Sequence, residues 1–167
     1  MRLGLRGTVR RVWGRRGVKV RQAVQFTYEW RYLFLAVDAS AGRLHWCWLP
    51  NLTTPQIAGA VRGLGQTDLK GLVWDRGASH RTAAVRAVGL PLVELPPYSP
   101  ELNPAERVFE ELRRVVEGKI YATLDDKVAA VVAYLEWLEA DPERVRSLTN
   151  WRWIAAALRA LPTEIAA

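Results

Sequence analysis

The sequence predicts an α/β fold in which a mixed sheet is flanked by helices, formed as one domain over residues 1–167. Three observations lead there. Segments rich in Val, Phe, Tyr, Leu and Trp fill much of the first third and are broken by a turn. Two short apolar runs, at 71–74 and 92–95, are separated by a loop and a helical stretch, which implies parallel pairing. From about residue 103 onward, apolar residues recur at helical spacing. With 50% of its residues hydrophobic and eight Trp, the chain has the material for a sizeable core.

Taken in order, Val18 to Trp30 and Arg31 to Asp38 read as strands, and Asp38-Ala39-Ser40-Ala41-Gly42 has turn chemistry. Arg43 to Leu49 reads as a third strand, with Trp46 and Trp48 on one face and His45 and Cys47 packing on the other. Thr53 or Thr54 can cap a helix with Pro55 at its first position, placing Ile57, Ala60, Val61 and Leu64 on one face. The strand Gly71 to Trp74 ends at Asp75, and a helical stretch follows from about Arg81 to Val88. Leu92 to Leu95 is the next strand, leading into the stiff loop Pro96-Pro97-Tyr98-Ser99-Pro100. Asn103 caps a helix that opens with Pro104 and carries Glu106 in its first turn; Val108, Phe109, Leu112 and Val116 line one face down to Gly118. Thr123-Leu124-Asp125-Asp126 resembles a capping box that starts a helix running to Asp141-Pro142, and a short helix follows around Ile154 to Leu161. Homodimerisation through the Val131, Leu135, Leu138 stripe stays an alternative to simple core packing.

The net charge of +7 is concentrated at the start. Residues 1–31 hold nine Arg or Lys against one acid, whereas residues 101–167 hold nine against twelve. Arg10, Arg11, Arg15, Arg16, Lys19 and Arg21, with Arg2 and Arg6, form the electrostatic footprint expected for a phosphate backbone, or a solvated basic surface. No apolar run approaches the roughly 20 residues that cross a bilayer, so a cytoplasmic, nucleoid-associated protein without a membrane partner is expected. A lone Cys47 and two His exclude an internal disulfide framework and a Cys/His zinc cluster. Carboxylates must therefore carry any metal chemistry.

Two acids stand out by position. Asp75 ends a buried strand, at the carboxyl edge where ligand-binding groups of open α/β sheets collect. Glu106 opens a helix directly after the Pro-rich loop. Hard divalent cations take carboxylate, phosphate and water oxygens, so two converging acids beside a basic surface suit phosphodiester chemistry. The plainer roles are a loop cap for Asp75 and a helix-dipole contact for Glu106. Glu110, one turn further on, is placed to pair with Arg114 at i+4.

The run Leu95-Pro96-Pro97-Tyr98-Ser99-Pro100-Glu101-Leu102-Asn103-Pro104-Ala105-Glu106-Arg107-Val108-Phe109 closely resembles the signature of bacterial insertion-sequence transposases of the mariner-type DDE superfamily. Val73-Trp74-Asp75-Arg76-Gly77-Ala78-Ser79-His80 is similar to the second-acid motif of that family, and the likeness extends to the basic start and the Trp13-Gly14-Arg15-Arg16-Gly17 turn. The resemblance implies a ribonuclease H-like fold in which three acids hold two metal ions, Mg2+ or Mn2+, with DNA as the partner: element ends and target. Those metals would activate water, then a DNA 3'-hydroxyl, and stabilise the leaving oxygen. Asp75 matches the second acid and Glu106 the third, while His80 matches the His of the second motif. Arg76 stands where the family has Asn; its guanidinium can hold phosphate but lowers local cation affinity.

In the family the first acid lies in an Asp-Glu pair at the end of the central strand, just before a segment like Arg2-Leu3-Gly4-Leu5. Here Met1 stands at that boundary. The expectation is a partial catalytic domain lacking its first, central strand, with unpaired backbone on neighbouring strands, inactive by itself. Asp38, in a turn, is a poor substitute. The alternative function is a non-catalytic, DNA-binding remnant.

Overall fold

The computed structural model describes residues 1–7 and 13–160. Arg10 and Arg11, two of the expected DNA contacts, lie outside them. Strand β2 (Trp30–Asp38) pairs antiparallel with β3 (Arg43–Leu49) and, on its other edge, with the short β1 (Arg2–Gly4). Side chains alternate across this sheet with a period of two. Leu33, Leu35 and Val37 face one side, opposite Trp48, Trp46 and Leu44; Tyr32 and Phe34 face the other, opposite Leu49 and Cys47.

Each face is covered by helices. The first packs on α3 (Ala105–Val116), α4 (Leu124–Glu139) and α5 (Pro142–Thr149) through Val108, Leu112, Val131, Leu135 and Val145, all fully buried. The second packs on α1 (Thr54–Leu64) through Ile57 and Val61, together with Trp74 of β4 (Leu72–Trp74) and Val85 of α2 (Ala83–Arg86). β4 pairs in parallel with β5 (Leu92–Glu94), as the strand, helix, strand order requires. A final helix, α6 (Arg152–Arg159), seats Ile154. Among the described residues, no helix is long and apolar enough to cross a membrane.

Several expectations need correction. The third antiparallel strand is Arg2–Gly4, not Val18–Trp30. Val18, Val20, Phe26 and Tyr28 are exposed, and residues 18–29 join no strand ladder among the described residues; they are held by bonds such as Gly7 N–H to the Gln25 carbonyl and Gln25 Nε2 to the Tyr121 carbonyl. Strand propensity counts only where a neighbour is available to pair and pack. In Arg2–Gly4 that neighbour exists: Leu3 is buried, and Gly4 lies so close to the Trp30 indole that a Cβ there would collide with the ring. The sheet is also split, because β1–β2–β3 and β4–β5 are separate ladders. The stretch read as one helix from Arg81 is a 3-10 turn (Ala78–Arg81) followed by the single turn of α2. Asp141-Pro142, read as a helix end, starts α5: the Asp141 carboxylate accepts from Glu143 N–H, and Pro142 takes the first position. The Val131, Leu135, Leu138 stripe is core, at most 2% exposed, and is not available for dimerisation.

Other local signals hold. Thr123 and Asp126 exchange capping-box hydrogen bonds at 2.9 and 3.1 Å, fixing where α4 begins. One turn later the buried Lys127 donates from Nζ to the Gly4 carbonyl at 2.7 Å, so α4 holds β1 at its C-terminal end. Asp38 is a turn residue. Burial opposes its ionisation, but hydrogen bonds from Ala41 N–H, Ser40 and Arg43 hold the carboxyl below its usual range.

Replacing Lys127 with Met keeps the aliphatic stem but orphans the Gly4 carbonyl, and the expected loss is about 1–3 kcal/mol. Denaturant unfolding of K127M should show that loss, together with faster amide exchange in β1; an unchanged midpoint would mean that this contact does not secure the strand.

Candidate active site

β4 and α3 carry the two acids to the same place. Asp75 follows the last residue of β4, and the register Trp74↔Glu94 puts the end of β5 beside it. Glu106 lies in the first turn of α3, its N–H donating to the Asn103 carbonyl at 3.1 Å. The Asn103 side chain accepts from Ala105 N–H at 3.0 Å at the helix start, as the expected cap, although the helix itself begins at Ala105 with Pro104 as its cap residue, one position later than expected. Both acids line a cavity of about 1100 Å³ between β2 and β4, and a smaller one of about 410 Å³ under the Pro-rich loop.

The Asp75 carboxylate is oriented from two sides. Its Oδ1 accepts from Gly77 N–H at 2.9 Å and lies 2.7 Å from His80 Nδ1. The imidazole is in turn stacked flat on the buried Trp74 indole, ring centroids 4.3 Å apart and planes 6° from parallel. His80 therefore acts on Asp75 by position, held in a slot between strand and turn. Glu106 is half-exposed, with Arg113 Nη2 at 3.7 Å.

Arg76 turns away from Asp75 to Glu94, at 3.4 Å, where Arg81 at 3.5 Å and Arg86 at 3.9 Å also converge. One carboxylate thus faces three guanidiniums, an excess of positive charge at the end of β5 that sequence reasoning missed; the signal was Glu94 closing a strand beside Asp75. Tyr98, fully exposed on the Pro-rich loop at φ 58°, was missed as well. A non-glycine residue in that conformation is strained, in a loop stiffened by Pro96, Pro97 and Pro100. Glu110 pairs with Arg107 at 2.9 Å, not with Arg114, which turns to Glu111 instead; the i−3 partners are nearer than the i+4 one. Arg15, Arg16, Lys19 and Arg21 are exposed but line neither cavity.

The donors present suit a hard divalent cation in kind but not in number. Among the described residues, no group of three or more His, Cys, Asp or Glu is placed to hold a metal ion. Asp75 and Glu106 are the residues that would hold such a cation, through their carboxylate oxygens.

Met1 lines the same cavity as the two acids. The Met1 ammonium donates to the Leu33 carbonyl at 2.7 Å, and burial lowers its pKa from 8.0 to about 6, against the opposing pull of Glu106; Arg113 lowers it further and Asp75 raises it. Between pH 6 and 8 the unfolded amine still binds a proton that the folded one has released, so stability rises with pH across that window. The expected gain is up to about 2 kcal/mol. Urea unfolding at the two pH values should show it in the chain as it stands and not in an Nα-acetylated form; equal slopes would contradict the buried amine.

Comparison with known proteins agrees with this architecture. The family model of the DDE superfamily endonuclease matches residues 1–126. An uncharacterized protein of Sinorhizobium fredii, y4pE/y4sA, is 28% identical over 130 residues, which cover 74% of this chain and 96% of that one. Among solved structures, the Mos1 transposase paired-end complex with the left transposon end superposes with a TM-score of 0.62 at 16% identity. The Mos1 strand transfer complex gives 0.61 at 17%. Each match covers 93% of this chain but only 53% and 52% of the transposase chains, so the present chain spans about half their length. The fold is ribonuclease H-like, and the chain belongs to the DDE superfamily endonucleases.

Proposed function

We propose that this chain is the catalytic-domain part of a DNA transposase, acting in metal-dependent cleavage and joining of DNA strands. The observation that carries the reading is the convergence of Asp75 and Glu106, from two different elements, on one cavity in a domain of the DDE endonuclease family. Asp75, set by Gly77 and His80, and Glu106, set by the start of α3, are the residues that would hold Mg2+ or Mn2+. The cation would supply charge neutralisation and an activated oxygen nucleophile at a phosphodiester. Arg15, Arg16, Lys19 and Arg21 would hold the DNA backbone without reading sequence, and Arg76, Arg81 and Arg86 would steer phosphate toward the acids once Glu94 yields them. By itself the chain is expected to bind DNA without cutting it.

A second reading, a DNA-binding remnant without catalysis, is favoured by one observation: among the described residues, no group of three or more His, Cys, Asp or Glu is placed to hold a metal ion. Mn2+ titration followed by paramagnetic broadening separates the two. On the catalytic reading, D75N and E106Q each weaken Mn2+ binding at least tenfold and leave DNA affinity unchanged; Mn2+ binding indifferent to both variants would establish the remnant. In the same preparation, replacing Arg15, Arg16, Lys19 and Arg21 with Ala should flatten the salt dependence of DNA affinity by about three to four in log–log slope. An unchanged slope would remove this basic segment from the DNA path.

A further inference from the structure

The Pro-rich loop is fastened at both ends to the elements that carry the acids. Leu95 N–H donates to the Trp74 carbonyl at 2.8 Å, one residue before Asp75. At the other end Asn103 N–H donates to the Pro100 carbonyl at 3.0 Å, where α3 is about to begin. Between them Ser99 Oγ donates to the Pro97 carbonyl at 3.3 Å, a bond that spans Tyr98. Pro96, Pro97 and Pro100 fix their own φ angles, so the loop presents Tyr98 at a set place. It does so at φ 58°, a conformation that costs energy in a residue with a large side chain. No packing offsets that cost. The Tyr98 ring is fully exposed and, among the described residues, meets no other ring and no cation, whereas the exposed Trp137 and Trp151 lie under Arg144 and Arg107. Tyr98 lines the cavity of about 410 Å³ together with Arg76, Asp75 and Glu106, a volume within the range of small-ligand sites.

We infer that Tyr98 is a stacking platform for one unpaired nucleobase beside the phosphate that the two acids serve, with Arg76 on the adjoining phosphate, so that the chain selects locally opened DNA over closed duplex. The inference rests on the function proposed above and adds to it a residue that discriminates between forms of the substrate. A free aromatic face, a guanidinium and a pair of carboxylates in one small cavity are complementary to a nucleotide: the base offers a π face and the phosphate an anion. Inside a closed duplex both faces of a base are covered by its neighbours, so the tyrosine face is open only to a base that has left the stack. The discrimination therefore comes from Tyr98, because Arg15, Arg16, Lys19 and Arg21 would meet phosphates, which paired and unpaired strands both carry. Stacking requires the ring and not the hydroxyl, so phenylalanine fulfils the same role. Tyr98 positions the strand and takes no part in the bond changes. A strained but rigid loop is suited to that task, since the platform is in place before DNA arrives.

The test titrates the 167-residue chain, by fluorescence anisotropy, against two labelled duplexes of equal length, one fully paired and one with the bases at one end mismatched. The unchanged chain is expected to bind the opened duplex at least about fivefold more tightly than the closed one. Y98A should lose that preference and Y98F should keep it. With 5-iodouracil at the mismatched end, near-ultraviolet light should cross-link the strand to Tyr98, located by mass spectrometry of the digested adduct. A preference that survives in Y98A, or a cross-link that falls only on other residues, would overturn the platform. Salt-sensitive binding of both duplexes with no preference between them would also overturn it, while leaving DNA as the partner. Binding of neither duplex would bring down the platform and the proposed function together.

Discussion

The fold is organised by what β2 requires: cover for both faces and partners for both edges. The faces are satisfied, one by α3, α4 and α5 and the other by α1 with Trp74 and Val85. One edge is satisfied along its length by β3. Along the other, among the described residues, Met1 and the three residues of β1 pair with Trp30–Leu33. From that point the architecture opens, the parallel pair β4–β5 stands apart as its own ladder, and the candidate acids come to line the opening.

What was legible in the sequence was legible because it is local. The capping box at Thr123, the helical face Val108, Leu112 and Val116, and the short apolar runs before Asp75 and Pro96 each depend on residues a few positions apart, and each stands in the structure. The positions of Asp75 at a strand end and Glu106 in a helix first turn followed from the same kind of signal. What was not legible depends on distant partners. Residues 18–29 have the composition of a strand yet join no ladder among the described residues, while the unremarkable Arg2–Gly4 gains a partner in β2 and is secured by Lys127, more than a hundred residues away. Asp141-Pro142 can stop one helix or start another, and the choice is made by the space β3 and α4 leave for Val145.

The electrostatics around the acids follow the same division between near and far. His80 reaches Asp75 from five residues on and stacks on the residue before it, a contact within one loop. The convergence of Arg76, Arg81 and Arg86 on Glu94 joins the loop after β4, the 3-10 turn and α2 to the end of β5, and it holds positive charge beside the acids while keeping it paired. Such an arrangement suits a polyanion that arrives with its own negative charge, since phosphate can take over guanidiniums that Glu94 holds at distances of 3.4–3.9 Å.

The proposed chemistry depends on Asp75 and Glu106 sharing a divalent cation. Crystals of the chain grown in Mn2+, with anomalous diffraction recorded above the manganese edge, are expected to show an anomalous peak between the two carboxylates, within coordination distance of both. A peak bound to neither, or a site that stays empty at saturating Mn2+, would contradict it.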